Sequence, residues 1–507
     1  MPYHSVRVLR FLVGVVLAGA TIGRAQESSL RRIMMSEVSS NAVDLSAQSL
    51  SAGPVHVKLQ DGQLRYLRVG DKEIVRRIYF GVRDGNWATA MPTYTKMKVQ
   101  KEKDHFTVEM AAQCKMGKVD YSWTGKITGS ADGKITFYAE GTPHADFDSN
   151  RIGLCVLFGT PSLARQEFET DGTTPAKGTF PPLVSPTHVA DQFHKLHYTT
   201  ANGLTVAVAS EGAIFDMEDQ RNWGDSSWKA FAPLPYAYKH VPQGDVKAQT
   251  ITVTVAGVNI SNSQASPQEP VRLELGSEAA GAKIPTLASG SMAKAHEFTD
   301  ISFNHDAFKT PPKIQWSYIP TTHLPDDDTV IENLPAIADQ AKTIHSFNPT
   351  AELLVGPIGF IAKGEDPRAN QPIAAAWIAG MMNSLARGGV KEAHFDLKGD
   401  ISAAALDAIR PYANWSIMNV DTTPRDSTRI LAFGCMNERE RVVFIVNETP
   451  HPAHAELNLS PTKITVLYVA PGAKDQATEL PADGLKLELT PYEVIRVTIA
   501  RHATNGK

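Results

Sequence analysis

Hydrophobic and polar positions alternate in short runs over residues 51–256, and turn signals separate these runs. A period of two places one face of a β-strand in a core and the other face in solvent. Dipeptides such as Asn202-Gly203 are typical of the tight turns that join antiparallel strands. Helical periodicity is nearly absent, so the pattern predicts a large antiparallel β-sandwich. The runs lie at residues 56–59, 107–110, 135–139, 154–158, 205–209 and 249–256.

Strands alternate with helices over residues 313–411, an order that is typical of parallel strands in a (β/α) barrel. A complete barrel takes about 250 residues, whereas residues 257–411 number only 155 (411 − 257 + 1). We therefore predict a partial, barrel-like region that follows a linker or collapsed barrel start at residues 257–312. The predicted strands are residues 314–319, 353–359 and 391–397, and the predicted helices are residues 328–344, 373–386 and 403–409.

Short apolar runs return after residue 412 and predict a small carboxyl-terminal β-sandwich. The whole pattern thus predicts a multidomain α+β protein with an amino-terminal antiparallel β-sandwich, a central partial (β/α) barrel-like region and a carboxyl-terminal β-sandwich. The predicted boundaries are a signal peptide at 1–25, a flexible leader at 26–50, the first sandwich at 51–256, the linker at 257–312, the barrel-like region at 313–411 and the last sandwich at 412–507.

The first 25 residues have the composition of a secretory signal. Arg7 and Arg10 precede an apolar run at residues 11–20, and Gly23 and Ala25 supply a small-residue cleavage site. An apolar run of this length is too short to cross a bilayer core of about 30 Å. We therefore expect a periplasmic or secreted protein with no membrane contact after cleavage, and an uncleaved anchor is the alternative.

Composition and charge narrow the class of partner. The net charge of −4 comes without a basic run, which argues against a nucleic-acid partner because phosphate binding needs clustered Lys and Arg. Cys114, Cys155 and Cys435 are three in number, so at least one stays unpaired within the chain. A disulfide between Cys114 and Cys155 and a set of buried free thiols are both compatible with the sequence.

One acidic and aromatic stretch, residues 215–231, fits neither hydrophobic period. In a strand, Asp216 and Glu218 project from the same face. Carboxylates beside Trp223 suit a sugar-like ligand better than they suit a core, although a buried ion-pair network is the structural alternative. The stretch contains Asp216, Glu218, Asp219, Arg221, Trp223, Asp225 and Lys229.

A second turn repeats this chemistry, because Asp84 and Trp87 stand beside an Arg and a Gly. An Arg-Asp turn that caps a hairpin is the alternative interpretation. Three histidines, His188, His194 and His197, lie in another loop-and-strand region. Their spacings of six and three do not converge on an extended chain. We therefore predict no metal site and no other cofactor.

The motif Met217-Glu218-Asp219-Gln220-Arg221-Asn222-Trp223, followed by Asp225, Ser226 and Lys229, resembles the signature near the end of the amino-terminal domain of bacterial D-apionate lactonases. Other segments agree with this family in order along the chain. They are Arg76-Arg77-Ile78, Val82-Arg83-Asp84, Asn86-Trp87, Asn150-Arg151-Ile152-Gly153, Phe180-Pro181 and Ser185-Pro186, and then Pro320, His323, Asp327, Gly356-Pro357, Asp366-Pro367-Arg368, Ala375-Ala376-Trp377 and Gly389-Val390. The later segments match only the later part of the family's barrel, so we expect a shortened barrel.

The resemblance implies a carbohydrate-active hydrolase that opens a sugar-acid lactone by general acid/base catalysis and binds a carbohydrate or sugar-acid small molecule. Lactone opening needs a base to activate water, a donor to stabilise the oxyanion and polar groups to orient sugar hydroxyls. The candidate acids and bases are Glu218, Asp219, His323 and Asp396. The candidate substrate-binding residues are Asp84, Trp87, Arg221, Trp223, Asp225 and Lys229.

Two other functions stay open at the level of the sequence. A glycoside hydrolase would use two carboxylates separated by about 5 to 9.5 Å across the scissile bond. A degenerate, non-catalytic sugar-binding protein is the second alternative, and the shortened barrel favours it. Whether the protein is an enzyme, and which sugar it would act on, are therefore questions for the structure.

Overall fold

The computed structural model describes most of the chain between residues 43 and 500. The predicted signal peptide, most of the predicted leader and His323 lie outside the described residues. No helix within the described residues is long and apolar enough to cross a membrane. The described segments are residues 43–172, 176–186, 188–201, 203–232, 239–257, 270–288, 296–298, 305–321, 324–361, 364–423, 430–459, 463–479 and 484–500.

The amino-terminal part consists almost entirely of antiparallel strands. They are β1 (Gln48–Ala52), β2 (Val55–Gln60), β3 (Gln63–Val69), β4 (Lys72–Arg83), β5 (Pro92–Lys101), β6 (Phe106–Met116), β7 (Val119–Gly129), β8 (Ile135–Pro143), β9 (Phe147–Ser149), β10 (Arg151–Gly159), β11 (Glu167–Thr170), β12 (Lys177–Thr179), β13 (His188–Phe193), β14 (Lys195–Thr199), β15 (Thr205–Glu211), β16 (Phe215–Asp219), β17 (Ser227–Phe231), β18 (Lys239–Val241) and β19 (Lys247–Ala256). A short helix, α1 (Thr160–Leu163), follows β10, and a 3-10 helix, Gln220–Trp223, joins β16 to β17.

Seventeen of these strands (8 + 9) form two large sheets that share one hydrophobic core, and β9 pairs with β18 in a separate two-stranded sheet. Sheet 1 has the order β1-β2-β3-β4-β10-β17-β16-β13, and sheet 2 has the order β12-β11-β14-β15-β19-β8-β7-β6-β5. Aromatic side chains fill the space between them: the ring centroids of Phe80 and Trp123 are 4.8 Å apart, and those of Phe180 and Trp228 are 4.9 Å apart. The predicted β-rich character of this part is therefore confirmed.

Fourteen strands and four helices follow among the described residues. The strands are β20 (Val271–Lys283), β21 (Thr286–Leu287), β22 (His296–Phe298), β23 (Lys313–Tyr318), β24 (Glu352–Ile358), β25 (Glu392–Phe395), β26 (Ser416–Thr423), β27 (Ile430–Met436), β28 (Glu440–Asn447), β29 (Ala453–Asn458), β30 (Lys463–Tyr468), β31 (Gln476–Glu479), β32 (Leu485–Leu489) and β33 (Val494–Ala500). The helices are α2 (Asp327–Glu332), α3 (Leu334–Phe347), α4 (Pro372–Arg387) and α5 (Asp400–Ile409), with 3-10 turns at His305–Lys309, Pro367–Asn370 and Arg410–Tyr412.

Five parallel strands form a half-barrel in the order β21-β25-β24-β23-β22. In a closed eight-stranded barrel the first strand lies beside the last. Here β21, the first strand, pairs with β25, the last. Within the described residues this sheet has five strands, three fewer (8 − 5) than a closed eight-stranded barrel. In the sequence, eight residues (288–295) separate β21 from β22, fewer than the roughly 10–12 that a single βαβ crossover needs.

The remaining strands form one nine-stranded sheet, β31-β30-β33-β28-β27-β26-β20-β29-β32. Strand β20 lies within residues 257–312, which the sequence assigned to a linker, and it pairs with β26 and β29. Small and polar residues along much of β20 interrupt the alternation of apolar and polar positions by which a strand is identified in a sequence. The three cysteines, Cys114, Cys155 and Cys435, are buried free thiols.

Ion pairs join sheet 1 to the half-barrel. Arg65 lies 2.6 Å from Asp326 and 3.1 Å from Glu332, and Arg77 lies 3.3 Å from Asp326. The side chain of Asp326 also caps α2 by accepting the N–H of Thr329. Because both arginines are almost fully buried, these contacts fix the first turn of α2 against sheet 1.

Candidate active site

The acidic stretch divides between two faces of sheet 1. Glu218 of β16 stands directly opposite Lys229 of β17, and Asp219 stands opposite Trp228. Because successive side chains of a strand point to opposite faces, Glu218 and Lys229 share one face. Trp228 belongs to the core between the two sheets, so Asp219 projects toward the core side. We call the face that carries Glu218 and Lys229 the polar face.

Cross-strand register sets the neighbours on the polar face. One row holds His188, Glu218 and Lys229, a second holds Asp216, Phe231, Cys155 and Tyr79, and a third holds Arg151 and Arg83. These residues come from five adjacent strands, β13, β16, β17, β10 and β4. Residues that are far apart in the chain therefore meet within one patch that combines carboxylates, cations and aromatic rings.

His188 lies at the edge of the patch, with 42% of its side chain exposed. Its Nδ1 forms a short hydrogen bond with Oδ1 of Asp191, and its Nε2 lies 3.5 Å from Oε1 of Glu218. The bonds to Glu218 and Asp191 raise the pKa of His188 to about 9, although burial lowers it. At neutral pH the imidazole is therefore protonated and can donate a proton.

Glu218 and Lys229 have pKa values that are shifted in a charged, buried setting. Burial raises the pKa of Glu218, but His188, Arg151 and Lys229 outweigh it and lower that pKa to about 2. Burial, together with the charges of Arg151 and Arg83, lowers the pKa of Lys229 to about 7. The Lys229 ammonium donates to Oε1 of Gln220 at 2.7 Å. Such large pKa shifts within one patch are typical of functional sites.

Arg151 spans the patch above the aromatic rings. Its guanidinium carbon lies 3.3 Å from the centroid of Phe231 and 5.5 Å from that of Trp87, and Nη2 is 3.8 Å from Oε2 of Glu218. The Trp87 ring is 50% exposed, so it can offer a flat wall to a ligand. Asp84 holds the turn beneath this ring, because its carboxylate accepts the N–H groups of the residues two and four positions later.

Asp219 and Arg221 form a buried ion pair away from the polar face. Arg221 Nη2 and Nε donate to Asp219 at 2.7 and 2.9 Å, and Nη1 donates to Asp339 of α3 at 2.9 Å. The guanidinium also donates to three backbone carbonyls of residues 181–183. Every N–H group of the guanidinium therefore has an acceptor, and together these bonds anchor sheet 1 to α3. This is the buried ion-pair network that the sequence left open as the structural alternative.

Trp223 and Asp225 belong to the turn between β16 and β17. Trp223 is half-buried at the end of the 3-10 helix, and the buried Asp225 accepts the hydroxyl of Ser227 at 2.9 Å. Between them, the carbonyl of Gly224 contacts the Tyr318 hydroxyl of β23 at 3.0 Å. This turn thus packs on the half-barrel, whereas Glu218 and Lys229 precede and follow it on the polar face.

Asp396 occupies a different place, at the carboxyl ends of the half-barrel strands. It lines a cavity of about 350 Å³ with Glu365, Asp366 and Lys398. Lys398 contacts Glu365 at 3.2 Å, and Asp366 is paired with Arg368. Barrel enzymes use this end of the strands for catalysis, so the cavity is a second candidate site.

One group of side chains on the polar face has the spacing of a metal site. The ligand atoms of His188, Asp191 and Asp216 lie within 4.8 Å of one another. However, Asp191 already bonds His188, and Asp216 accepts the N–H of Gln192 at 2.8 Å. These contacts account for the group as a hydrogen-bonded cluster.

Sequence reasoning did not single out Arg83, Arg151 or Asp191 as site residues. Arg151 stands in a motif of the family resemblance, yet its contact with Glu218 depends on the pairing of β10 with β17, across 67 residues of sequence (218 − 151). His188 was considered only as part of a histidine trio. Its partners are carboxylates at a neighbouring position and on the neighbouring strand. The spacing between the three histidines therefore could not predict the contacts of His188.

Comparison with known proteins identifies relatives of the amino-terminal part. Residues 35–258 match the family described as D-apionate lactonase, N-terminal domain. A D-apionate lactonase of Brucella anthropi is 26% identical over 341 residues, which cover 61% of this chain and 55% of the relative. The match thus spans little more than half of the relative's length. Both findings confirm the resemblance that the sequence predicts.

Solved structures show only distant similarity. A GH family 44 endoglucanase from Clostridium thermocellum is 9% identical over 37% of this chain and 46% of that chain, with a TM-score of 0.28. A 4-O-alpha-L-rhamnosyl-beta-D-glucuronidase from Fusarium oxysporum is 12% identical over 37% and 53%, with a TM-score of 0.29. At these scores neither likeness bears on the architecture or the chemistry of this chain.

Proposed function

We propose that this chain, whose residues 35–258 match the family described as D-apionate lactonase, N-terminal domain, is a carbohydrate-active hydrolase that opens sugar-acid lactones at the polar face. The observation that carries the proposal is the row of His188, Glu218 and Lys229, with its two opposed pKa shifts beside a half-exposed indole. The row lies within the part of the chain that matches the family.

The chemistry needs a proton donor, a proton acceptor and cations near the carbonyl. Glu218 stays ionised and accepts the proton of the attacking water as the new C–O bond forms. His188, which is protonated at neutral pH, gives its proton to the ring oxygen as the lactone C–O bond breaks. Arg151 stabilises the oxyanion between these steps, and Trp87 packs against the sugar ring. A final proton transfer from Glu218 restores the imidazolium, so the proton count balances.

Other predicted residues have supporting places in this proposal. We assign Asp219 and Arg221 to the anchor on α3, Asp84 to the turn below Trp87, and Trp223 and Asp225 to the turn between β16 and β17. The half-barrel cavity with Asp396 supports a second candidate function, a glycoside hydrolase with its carboxylates at the strand ends. Secretion, through removal of residues 1–25, completes the proposal and is tested by sequencing the amino terminus of exported protein.

The test follows acid release and new reducing ends in parallel, with the full chain on a panel of sugar lactones and small glycosides. We expect acid release from at least one lactone. Glu218→Gln and His188→Gln should each lower kcat by about 10²–10⁴-fold, the usual contribution of a general acid or base. Glu109→Gln, an exposed carboxylate on sheet 2, is the matched control and should retain activity.

Each other outcome has a definite meaning. New reducing ends without acid release would mean that the protein is a glycosidase and not a lactonase. If folded protein with either polar-face substitution still opened lactones at the original rate, catalysis would not take place on this face. No activity toward any substrate, together with a Tm that sugars still raise, would mean that the protein binds sugars without catalysis.

A further inference from the structure

We infer that Arg83, Arg151 and Lys229 together form a binding site for the carboxylate of an open-chain sugar acid. This inference deepens the proposed function, since such an acid is what lactone opening releases, but it depends only on the polar face and not on turnover. The site lies on β4, β10 and β17, at the centre of sheet 1.

The three cations converge on one place. Arg83 and Arg151 stand directly opposite each other on β4 and β10. Arg151 then extends across the sheet until its guanidinium stacks on Phe231, and the Lys229 ammonium lies 5.7 Å from the same ring centroid. Phe231 is therefore an apolar floor that Arg151 and Lys229 share.

The charges on this face do not balance. Within the described residues, Glu218 approaches this group, with its Oε2 3.8 Å from Nη2 of Arg151. Asp216 is engaged by Gln192 and His188 instead, and Asp191 is bonded to His188. The other titratable groups that face the patch are Tyr79, Cys155 and Arg77, and Arg77 is paired with Asp326. With Lys229 protonated, four cations (His188, Arg83, Arg151 and Lys229) face three carboxylates, so one positive charge (4 − 3) is left over in a buried place, where unpaired charge is costly.

Arg151 has donor capacity that the described residues do not use. Its side chain is only 7% exposed, and its buried Nε has no hydrogen-bond partner in the part of the chain that the structure describes. A buried guanidinium normally spends its donors on acceptors. A ligand carboxylate, which accepts two parallel N–H groups from one guanidinium, supplies both the missing acceptor and the missing charge.

Trp87 makes a sugar acid a better ligand than a bare anion. Its half-exposed ring lies 5.5 Å from the Arg151 guanidinium. The C–H groups of a polyol chain pack well on an indole, while its terminal carboxylate enters between the cations. Binding also favours the protonated form of Lys229, whose pKa of about 7 reflects repulsion from the two arginines as well as burial.

The experiment is titration calorimetry of the full chain with sodium D-gluconate, the uncharged polyol D-glucitol and inorganic phosphate. We expect gluconate to bind at least about tenfold more tightly than glucitol and more tightly than phosphate. Equal affinity for gluconate and glucitol would overturn the anion site. Phosphate that binds as tightly as gluconate would overturn the sugar-acid assignment.

Variants assign the binding to these side chains. Arg151→Gln and Lys229→Met should each weaken gluconate binding by about tenfold or more, whereas Arg439→Gln, an exposed arginine of the carboxyl-terminal sheet, should not. Lys229→Met removes a buried charge and keeps an apolar chain of similar length, so it should fold even where Arg151→Gln does not. Unchanged gluconate affinity in folded Lys229→Met would overturn the inference. Gluconate binding without any lactone turnover would instead refute only the proposed hydrolysis.

Discussion

Two residues on the polar face make opposite contributions to the pH dependence of stability. The pKa of His188 is raised from 6.5 to about 9 in the folded chain, so its stabilisation is complete below pH 6.5 and is lost as the pH rises through 9. The pKa of Lys229 is lowered from 10.5 to about 7, so the folded state is penalised at low pH and recovers as the pH rises above 7. Between pH 7 and 9 the two effects offset each other.

Single substitutions should separate these effects. In His188→Gln, the free energy of unfolding should rise more between pH 7 and 9 than it does in the unsubstituted chain, because the Lys229 contribution is no longer offset by His188. In Lys229→Met, it should fall more over the same interval, because the His188 contribution is no longer offset by Lys229. Urea unfolding at pH 7, 8 and 9 measures both slopes. Parallel pH profiles for the two variants would contradict the shifts on which the proposed roles depend.

At the residue scale, the sequence predicted what alternation along one strand can determine. Asp216 and Glu218 were expected on one face, and both lie on the polar face, where they stand opposite Phe231 and Lys229. The contact of Arg151 with Phe231 could not be predicted from the sequence, because it depends on the register between β10 and β17. Register comes from long-range strand pairing, which a single sequence does not specify.

At the element scale, the hairpin of β16 and β17 is held by Arg221 in its turn. The guanidinium satisfies Asp219, Asp339 and three carbonyls at once. Arg221→Met should lower the free energy of unfolding by about 3–5 kcal/mol, because it leaves the buried Asp219 charge without its partner. Arg439→Met, at an exposed turn, is the matched control for urea unfolding. A loss below about 1 kcal/mol would mean that the pair is not a structural anchor.

The helix predicted at residues 328–344 is in fact two helices, α2 and α3, that meet at Asn333. Its side chain accepts the N–H of Ser226 at 2.9 Å and donates to the Pro320 carbonyl at 2.8 Å. Pro335 in the first turn of α3 also removes a backbone donor. Periodicity alone could not show this break, because the apolar positions continue through it.

The break itself contributes to stability through those two bonds. Asn333→Ala leaves a buried N–H and a buried carbonyl without partners, so the free energy of unfolding should fall by about 1–3 kcal/mol. Asn458→Ala, an exposed position on β29, should change it by less than about 0.5 kcal/mol. Urea unfolding of both variants makes the comparison. Equal stabilities would show that water replaces the lost partners.

For the whole molecule, the sequence predicted the order of β-rich and α/β parts but not how the half-barrel is assembled. The pairing of β21 with β25 joins residues more than 100 positions apart (392 − 286 = 106). Strands β21 and β22 have only two and three residues, too short to show a period. Chain length therefore predicted a partial barrel, while the strand order of the half-barrel could come only from the structure.

The half-barrel also bears on where chemistry takes place. A barrel site is built from loops around a full ring of eight strands, whereas the half-barrel has five strands among the described residues. The polar face of sheet 1, by contrast, is formed by five adjacent strands, β4, β10, β17, β16 and β13. If the polar face carries the reaction, Glu218→Gln should lower kcat by about 10²-fold or more, and Asp396→Asn should have the smaller effect. The opposite order, measured on the same lactone and with both variants folded, would assign catalysis to the half-barrel cavity and make the polar face a binding surface.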